Sequence, residues 1–253
     1  MKRIAIVTGA SGGIGQAFVR ELQKETLDEI WVVGRNQQRL LSLQHEFGER
    51  ITPVCKDLTK DDDLLSFSDL LKKQRPSVLW LINNAGTARM APSIEFSFSE
   101  IGQTIDLNCK APAALINLCI PFMEKGAKIL NISSASSFQP VPYLNLYAAT
   151  KAFARSYSRA LHMELKPRGI TVTAVCPGWV DTDMLSTEMN GQKIHFPGIT
   201  TPQKVVKKAL SDAKKGKDMS ICTFYVKCQH WNVKLLPQKW TMKIWLHGIK
   251  KYL

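Results

Sequence analysis

The chain has 253 residues, 45% of them hydrophobic, which is enough to build one buried α/β core. Its formal net charge is +13, yet no stretch of about 20 apolar residues predicts a membrane span, and no apolar leader precedes the first strand. The six cysteines form no C-x-x-C pair, so we predict a cytoplasmic protein with reduced thiols. The five histidines have no metal-ligand spacing with the cysteines, so we predict no metal site.

Strand and helix patterns alternate along the whole chain without an internal repeat. Apolar runs bounded by turn residues predict strands, and apolar residues recurring three or four apart predict helices. The alternation predicts an α/β fold with a doubly wound parallel sheet and helices on both faces. The predicted strands are 3–8, 29–34, 51–55, 78–83, 127–133, 170–176 and 219–224, and the predicted helices are 14–25, 37–47, 61–73, 99–124, 146–166 and 202–215.

A glycine-rich turn follows the first predicted strand. The apolar run 3–7 leads into Thr8-Gly9-Ala10-Ser11-Gly12-Gly13-Ile14-Gly15, and helical spacing resumes immediately afterwards. Glycine allows a close approach of the backbone to an anion, and the N-terminus of a helix offers unpaired N–H donors. The strand–turn–helix order therefore predicts the phosphate-binding turn of a dinucleotide site.

The end of the second predicted strand bears on the choice of dinucleotide. An acidic side chain there would bind the ribose 2′-hydroxyl of NAD and repel an added phosphate. Gly34 occupies that place, and Arg35 follows with a guanidinium that suits a 2′-phosphate. We therefore predict NADP(H) as the preferred cofactor. NAD(H) remains the alternative for two reasons. Arg35 could simply be solvated, and the turn has Gly12 where a basic residue would favour binding of NADP(H).

A serine, a tyrosine and a lysine follow the fifth predicted strand. Tyr147 and Lys151 are four residues apart on one predicted helix, so the phenol and the ammonium share one face. A free tyrosine has a pKa of about 10, and we predict that the adjacent cation lowers it and makes Tyr147 a general acid/base. Ser134 ends an apolar strand, which places its hydroxyl at the carboxyl edge of the sheet, where such sheets bind ligands.

Together these motifs resemble the short-chain dehydrogenase/reductase family, in its single-domain branch, from Lys2 to Tyr225. The resemblance implies a Rossmann-type domain over 1–226, with a mobile substrate lid at 184–201. It implies a catalytic tetrad of Asn108, Ser134, Tyr147 and Lys151. It also implies that the cofactor is bound by Gly9, Ser11, Gly13, Ile14, Gly15, Arg35, Asp57, Leu58, Asn84, Ala85, Gly86, Tyr147, Lys151, Pro177, Gly178, Val180 and Thr182.

The resemblance further implies hydride transfer between the nicotinamide and a ketone or secondary alcohol. Ser134 would bind the carbonyl oxygen, Tyr147 would supply the proton, Lys151 would bind the nicotinamide ribose, and Asn108 would order a water chain. Trp179 is either a pocket residue or a core residue. The alternatives are an NAD-linked alcohol or hydroxysteroid dehydrogenase and a non-catalytic NADP-sensing protein. An apolar, lipid-like or steroid-like substrate is indicated by Met90, Phe138, Val141, Tyr143, Met184 and Met189.

Two long helices, 99–124 and 146–166, pair subunits in this family, so a homodimer or homotetramer is expected. The sequence does not decide whether the apolar residues of these helices face a partner subunit or the sheet. They are Leu115, Leu118, Phe122, Phe153, Tyr157 and Leu161.

The C-terminal segment 227–253 is not explained by the resemblance. Residues 204–253 hold twelve lysines against two aspartates, and the last 27 residues contain no acidic side chain. A helix after Pro237 would have one apolar and one basic face. The apolar face would hold Trp240, Met242, Ile244, Trp245, Ile249 and Tyr252, and the basic face Lys239, Lys243, His247 and Lys250.

Three interpretations of this tail compete. It packs on the domain or on a partner subunit and roofs the substrate pocket, or it attaches peripherally to an anionic membrane, or it binds a nucleic acid. No recognised nucleic-acid motif is present, so we predict no nucleic-acid partner. The predicted location is cytoplasmic, with peripheral membrane contact through 227–253 as an open alternative.

Overall fold

A computed structural model describes residues 1–183, 185, 188–189, 192–194 and 196–250 of the chain. The predicted lid 184–201 falls partly outside the described residues. Met184 of the predicted pocket and Tyr252 of the predicted apolar face lie outside them as well, and so does the side chain of Met189.

The described strands form one parallel sheet and one short antiparallel pair. The seven-stranded sheet has the order β3-β2-β1-β4-β5-β6-β9, and β7 pairs with β8. The strand order reverses between β1 and β4: β2 and β3 extend the sheet beyond β1, and β5, β6 and β9 extend it beyond β4. Open α/β sheets bind ligands at such a switch point. The strands are β1 (Arg3–Thr8), β2 (Glu29–Gly34), β3 (Ile51–Cys55), β4 (Ser77–Asn83), β5 (Lys128–Ile132), β6 (Thr171–Val175), β7 (Glu188–Met189), β8 (Gln192–Lys193) and β9 (Met219–Ser220).

Helices connect the strands, and two further helices close the chain. The α-helices are α1 (Gly13–Leu22), α2 (Gln37–Phe47), α3 (Asp61–Gln74), α4 (Phe98–Ile105), α5 (Ala111–Cys119), α6 (Asn145–Leu165), α7 (Pro202–Lys214), α8 (Phe224–Leu235) and α9 (Gln238–Ile249). The α/β prediction is confirmed. The predicted helix 99–124 is interrupted by a π-helical turn, Asp106–Lys110, between α4 and α5.

The last predicted strand, 219–224, is wrong at its end. β9 stops at Ser220, because Thr223 accepts a hydrogen bond from the backbone N–H of Val226 and caps the start of α8. The helix α8 then continues through residue 226, where the sequence placed the change from domain to tail.

The core lies on both faces of the sheet because the strands are apolar on both sides. In β1, Ala5 and Val7 pack against α1, α2 and α7, while Ile4 and Ile6 pack against α3, α5 and α6. All four side chains are fully buried. Successive side chains of one strand point to opposite faces of the sheet and so contribute to two cores. The polar residues at the strand ends lie outside both cores, at the carboxyl edge.

The helices predicted to pair subunits face the sheet with most of their apolar residues. Leu115 and Leu161 are buried in the core, and Leu118, Phe122 and Tyr157 pack against it. Phe153 is 40% exposed and stacks on Tyr157 at a centroid distance of 5.4 Å.

The tail helices lie against the carboxyl side of the domain. Val226 of α8 joins a small core with Phe138 and Cys176, and Ile249 of α9 is buried. In the described part of the chain, no helix combines the length and the apolarity needed to cross a bilayer.

Candidate active site

The turn after β1 is shaped so that only glycine fits at its key positions. Gly9 has a φ of +60°, and a Cβ on Gly15 would lie 2.2 Å from the carbonyl oxygen of Gly9. A Cβ on Gly13 would lie 2.7 Å from Cγ2 of Thr182, so the turn and the segment after β6 are in contact. Among the described residues no side chain caps α1 at Gly12, which leaves its first N–H groups open to an anion.

Thr8 and Asn84 join this turn to the end of β4. The Thr8 hydroxyl accepts hydrogen bonds from the backbone N–H groups of Asn84 and Ala85, both at 3.0 Å. The Asn84 amide donates in return to the carbonyls of Thr8 at 3.1 Å and Gly9 at 3.0 Å. These bonds fix the two loops at the switch point relative to each other. Sequence reasoning named Asn84 and missed the role of Thr8, although a hydroxyl at the last position of β1 was a usable signal.

The residues after β2 and β3 form a second, polar part of the edge. Gly34 ends β2, and Arg35 projects to solvent beside Asp57. Burial opposes ionisation of Asp57, but hydrogen bonds from the hydroxyl and N–H of Thr59, at 2.7 and 3.1 Å, hold its pKa below the ordinary value, with Arg35 adding to the effect. Leu58 is buried beneath them. A charged guanidinium and an apolar floor therefore adjoin the glycine turn.

Ser134, Tyr147 and Lys151 meet beyond the end of β5. The ammonium of Lys151 lies 5.5 Å from the ring centroid of Tyr147 and donates a 2.7 Å hydrogen bond to the carbonyl of Ile132. The Ser134 oxygen accepts from the N–H of Ser136 at 3.1 Å, so its own hydrogen stays available as a donor. The three groups predicted from spacing are thus gathered on one side of β5 and the first turns of α6.

The predicted effect of Lys151 on Tyr147 is wrong. Burial raises the pKa of the Tyr147 phenol above its ordinary value, and hydrogen bonding with Ser134 lowers it by less. Burial also lowers the pKa of Lys151 to about 8. The reason is burial: both side chains are withdrawn from water, and the ammonium donates its hydrogen bond to the Ile132 carbonyl, so desolvation dominates both groups.

Asn108 sits in the π-helical turn between α4 and α5. Its side-chain oxygen accepts from the N–H of Thr87 at 2.9 Å, and its NH₂ donates to the Thr87 carbonyl at 2.9 Å and to the Thr150 hydroxyl at 3.0 Å. A Cβ on Gly86 would lie 3.1 Å from the Asn108 oxygen and 3.3 Å from Nζ of Lys151. The Asn108 amide and the Lys151 ammonium therefore both lie next to Gly86, and π-helical turns are frequent at functional sites.

The segment after β6 closes the site from the other side. The carbonyl of Pro177 accepts from the N–H of Ala135 at 2.7 Å, which anchors it beside Ser134. Gly178 has no room for a side chain, because a Cβ would lie 2.6 Å from Cγ2 of Val226 in α8. Val180 is buried, and Thr182 meets the glycine turn. The remaining predicted cofactor residues, Ser11 and Ile14, are half-buried in that turn.

An aromatic wall borders the site, and the tail helix α9 supplies part of it. Trp179 packs against Phe196 at a centroid distance of 4.9 Å and stacks on Trp245 at 6.5 Å. The indole N–H of Trp245 donates to the carbonyl of Pro142 at 2.9 Å, in the loop between Ser134 and Tyr147. The sequence placed Trp245 on the apolar face of the tail helix, and one interpretation packed that helix on the domain over the substrate pocket. The individual contacts of Trp245 with Trp179 and Pro142 were not predicted.

Two of the residues predicted to border the substrate are part of the core. Phe138 and Val141 are buried, and Phe138 packs against His230 of α8 at 4.5 Å. Met90 and Tyr143 are half-buried. Within the described residues no three potential metal ligands cluster, and all six cysteines are free thiols.

Comparisons with known proteins agree with this geometry. A family model described as short chain dehydrogenase matches residues 3–193. An uncharacterized oxidoreductase of Staphylococcus epidermidis is 29% identical over 185 residues, covering 72% of this chain and 80% of that protein. A very-long-chain 3-oxoacyl-CoA reductase of Anas platyrhynchos is 30% identical over 253 residues, covering 95% of this chain and 78% of that protein. A short-chain dehydrogenase from Sphingobium yanoikuyae in complex with NADPH superposes with a TM-score of 0.78 at 26% identity, over 96% of each chain.

Proposed function

Because the chain belongs to the short-chain dehydrogenase/reductase family of oxidoreductases, we propose that it transfers a hydride between NADP(H) and a ketone or secondary alcohol. The observation that carries the proposal is the meeting of Ser134, Tyr147 and Lys151 at the carboxyl edge, beside a turn that only glycine fits. A hydroxyl donor, a protonated phenol and a buried amine can together bind and protonate a carbonyl oxygen.

The residues present fit a nicotinamide dinucleotide phosphate. The Gly9–Gly15 turn with the open N-terminus of α1 suits the pyrophosphate, and Arg35 without an acidic neighbour at Gly34 suits the 2′-phosphate. The NADPH complex of the Sphingobium relative supports the same choice. When bound, the cofactor supplies the hydride. The other residues that would hold it are Asp57, Leu58, Asn84, Ala85, Gly86, Tyr147, Lys151, Pro177, Gly178, Val180 and Thr182.

Tyr147 acts as a general acid in the reducing direction. Its pKa is raised by burial, so the phenol keeps its proton at neutral pH and holds it ready for the carbonyl oxygen. Ser134 donates a hydrogen bond to the same oxygen, while its own oxygen accepts from the N–H of Ser136. The hydroxyl therefore positions the carbonyl while the phenol protonates it.

Lys151 restores the proton that Tyr147 gives up. With a pKa of about 8, the amine exchanges protons near neutrality, which an ordinary lysine does not do. Asn108 fixes the Thr87 backbone and the Thr150 hydroxyl on one side of the amine. The proton path from Lys151 to Tyr147 is thus bordered by Asn108, whose hydrogen bonds are already formed.

The substrate is proposed to be apolar along much of its length. Trp179, Phe196 and Trp245 form a wall that offers stacking and apolar contact but little hydrogen bonding. The Anas relative is named for a 3-oxoacyl-CoA, so a 3-oxoacyl thioester is the first ketone to test, followed by steroid-like ketones.

Replacing Tyr147 by phenylalanine tests the catalytic assignment. Loss of the phenolic proton should lower kcat by about a thousand-fold or more, while the binding of NADPH stays nearly unchanged. Turnover is followed as NADPH oxidation with a panel of ketones, and binding as quenching of tryptophan fluorescence.

Tyr157→Phe is the matched control, because Tyr157 lies on the same helix and stacks on Phe153 away from the site. It should keep its rate. A Tyr147→Phe protein that keeps most of its rate contradicts the assignment. Tight NADPH binding by the unaltered protein without turnover of any ketone would instead favour the non-catalytic alternative.

The cofactor choice is tested separately with Arg35→Ala. Loss of the guanidinium should raise the KM for NADPH by about ten-fold or more and leave the KM for NADH nearly unchanged. Equal loss with both cofactors, or better use of NADH by the unaltered protein, would favour the NAD-linked alternative.

We further propose a cytoplasmic homodimer or homotetramer, on the expectation from the family. The chain divides functionally into the catalytic domain 1–226, with 184–201 covering the substrate, and the basic tail 227–253.

A further inference from the structure

The helix α8 carries apolar side chains on the side that faces away from the domain. Its inner side packs through Val226 and His230, which are 1% and 9% exposed. Phe224, Trp231 and Leu235 are 80%, 60% and 77% exposed, and their spacing of seven and four residues puts them on one stripe. The outer stripe of a helix on a soluble domain is ordinarily polar.

The helix α9 continues this arrangement and corrects the predicted apolar face. Trp245 and Ile249 face the domain, but Trp240 and Ile244 are 62% and 64% exposed. The apolar residues predicted for one face are therefore divided between two sides of the helix. The inner pair packs on the catalytic domain, and the outer pair has no apolar cover among the described residues.

Lysines lie beside both outer stripes. The ammonium of Lys234 is 5.0 Å from the ring centroid of Trp231, and no aspartate or glutamate follows Asp218 in the sequence. Tryptophan flanked by lysine, without acidic residues, is the composition of surfaces that insert shallowly into anionic bilayers. The exposed lysines of the two helices are Lys227, Lys234, Lys239 and Lys243, and Lys250 follows the end of α9.

We propose that the outer faces of α8 and α9 form a docking surface for an anionic lipid bilayer. Phe224, Trp231, Leu235, Trp240 and Ile244 would enter the headgroup region, and the lysines would contact the anionic headgroups. In a two-fold pairing with a second copy, this surface would bring lysines against lysines, which disfavours self-association. Leu235 and Ile244 give nothing to a phosphate backbone, which disfavours a nucleic acid.

The inner side of α9 would place the candidate active site close to the docked bilayer. Trp245 contacts Trp179 and the loop of Pro142, so α9 lies between the site and the proposed bilayer surface. An apolar molecule held in the membrane would thus be close to the aromatic wall. Docking on a bilayer requires no hydride transfer, so vesicle binding measures it independently of turnover.

The full-length protein is tested by flotation with vesicles. Binding is expected to phosphatidylcholine vesicles that contain phosphatidylglycerol, to weaken with added salt, and to be much poorer with phosphatidylcholine alone. Tryptophan emission should shift to shorter wavelength on binding, because Trp231 and Trp240 leave water. Absence of flotation with the anionic vesicles overturns the proposal.

Substitutions locate the surface. Trp231→Gln with Trp240→Gln should weaken partitioning to anionic vesicles by about ten-fold or more. The matched control is Leu65→Gln with Met163→Gln, at side chains that are 64% and 66% exposed on α3 and α6, and it should bind as the unaltered protein does. Retained NADPH binding shows that each variant is folded. Equal partitioning of the two double variants overturns the proposal.

A third pair of variants tests the charge. Lys239→Gln with Lys243→Gln should reduce the salt dependence of binding, whereas Lys72→Gln with Lys73→Gln on α3 should not. Light scattering gives the competing outcome: a smaller assembly in the tryptophan variant without a change in vesicle binding assigns the surface to self-association instead. Duplex DNA gives the other competing outcome. If DNA displaces the bound protein from vesicles, and if the tryptophan variant loses DNA binding as strongly as vesicle binding, the surface is assigned to a polyanion.

Discussion

The carboxyl edge of the sheet and the tail helices α8 and α9 use their side chains in opposite ways. At the edge, Asn84 and Asn108 are each held by several hydrogen bonds, and glycines leave no spare volume. In the tail, large apolar side chains such as Trp231 and Trp240 stand in solvent beside lysines. The polar side chains of the edge find their hydrogen-bond partners within the chain, whereas the tail presents apolar surface that none of the described residues covers.

This difference separates two kinds of constraint. A preorganised site tolerates almost no change of shape, because its atoms already touch. A docking surface depends on the sum of apolar area and charge and not on one geometry. Substitutions at the edge should therefore have large, position-specific effects, and substitutions on the outer tail should have small effects on the fold.

The largest effect is expected at the glycine turn. In Gly15→Ala the new methyl group would lie 2.2 Å from the carbonyl oxygen of Gly9, so the turn must move. We expect a loss of about 2–4 kcal/mol in the free energy of unfolding and no measurable binding of NADPH. Urea denaturation and fluorescence titration measure the two effects.

Gly102→Ala in α4 is the control for that substitution. Apart from the backbone of α4 itself and the two chain neighbours, no described atom lies within 4 Å of a Cβ at this position, so the change should stabilise the protein by about 0.5–1 kcal/mol. If both variants behave alike, the edge is not as tightly constrained as its contacts indicate.

The next effect concerns Lys151, whose ammonium is buried at the carboxyl edge and is therefore less stable in its charged form. Its folded-state pKa of about 8 lies below the ordinary value, so the folded protein binds fewer protons than the unfolded chain between these values. Stability therefore rises as pH increases through this window, and the full penalty of about 3 kcal/mol is present below pH 8.

Lys151→Met should accordingly stop turnover and yet stabilise the protein by about 2 kcal/mol at neutral pH, after loss of the bond to Ile132. The advantage should shrink as pH rises from 8 toward 10.5. Urea unfolding at a series of pH values measures it, with exposed Lys73→Met as the control. A variant that is less stable than the unaltered protein at pH 7 would contradict this account.

The smallest effect distinguishes the inner from the outer side of the tail. Trp245→Phe keeps an aromatic ring but loses the hydrogen bond to Pro142, so we expect about 1 kcal/mol of destabilisation and a raised KM for an apolar ketone. Trp240→Phe, at a 62% exposed position, should change the unfolding free energy by less than about 0.5 kcal/mol. Equal effects would show that α9 does not pack as described.

Much of the fold could be predicted because local patterns and tertiary contacts agree. The strand after Lys2 and the turn at Gly9 are specified by residues next to one another, and the structure places them as expected. The effect of Lys151 on Tyr147 could not be predicted. Helical spacing shows that two side chains share a face, but their relative burial and the direction of the ammonium depend on β5 and its Ile132 carbonyl.

The sequence by itself determined the α/β order, the family and the residues at the strand ends, since these depend on short-range patterns of apolar residues, glycines and hydroxyls. Only the tertiary structure decided how the tail is used. One helix can turn either of its sides to the domain, and the contacts of Trp245 with Trp179 and Pro142 choose the side that leaves Trp240 and Ile244 in solvent. That choice depends on atoms more than sixty residues away in the chain, which no local pattern can encode.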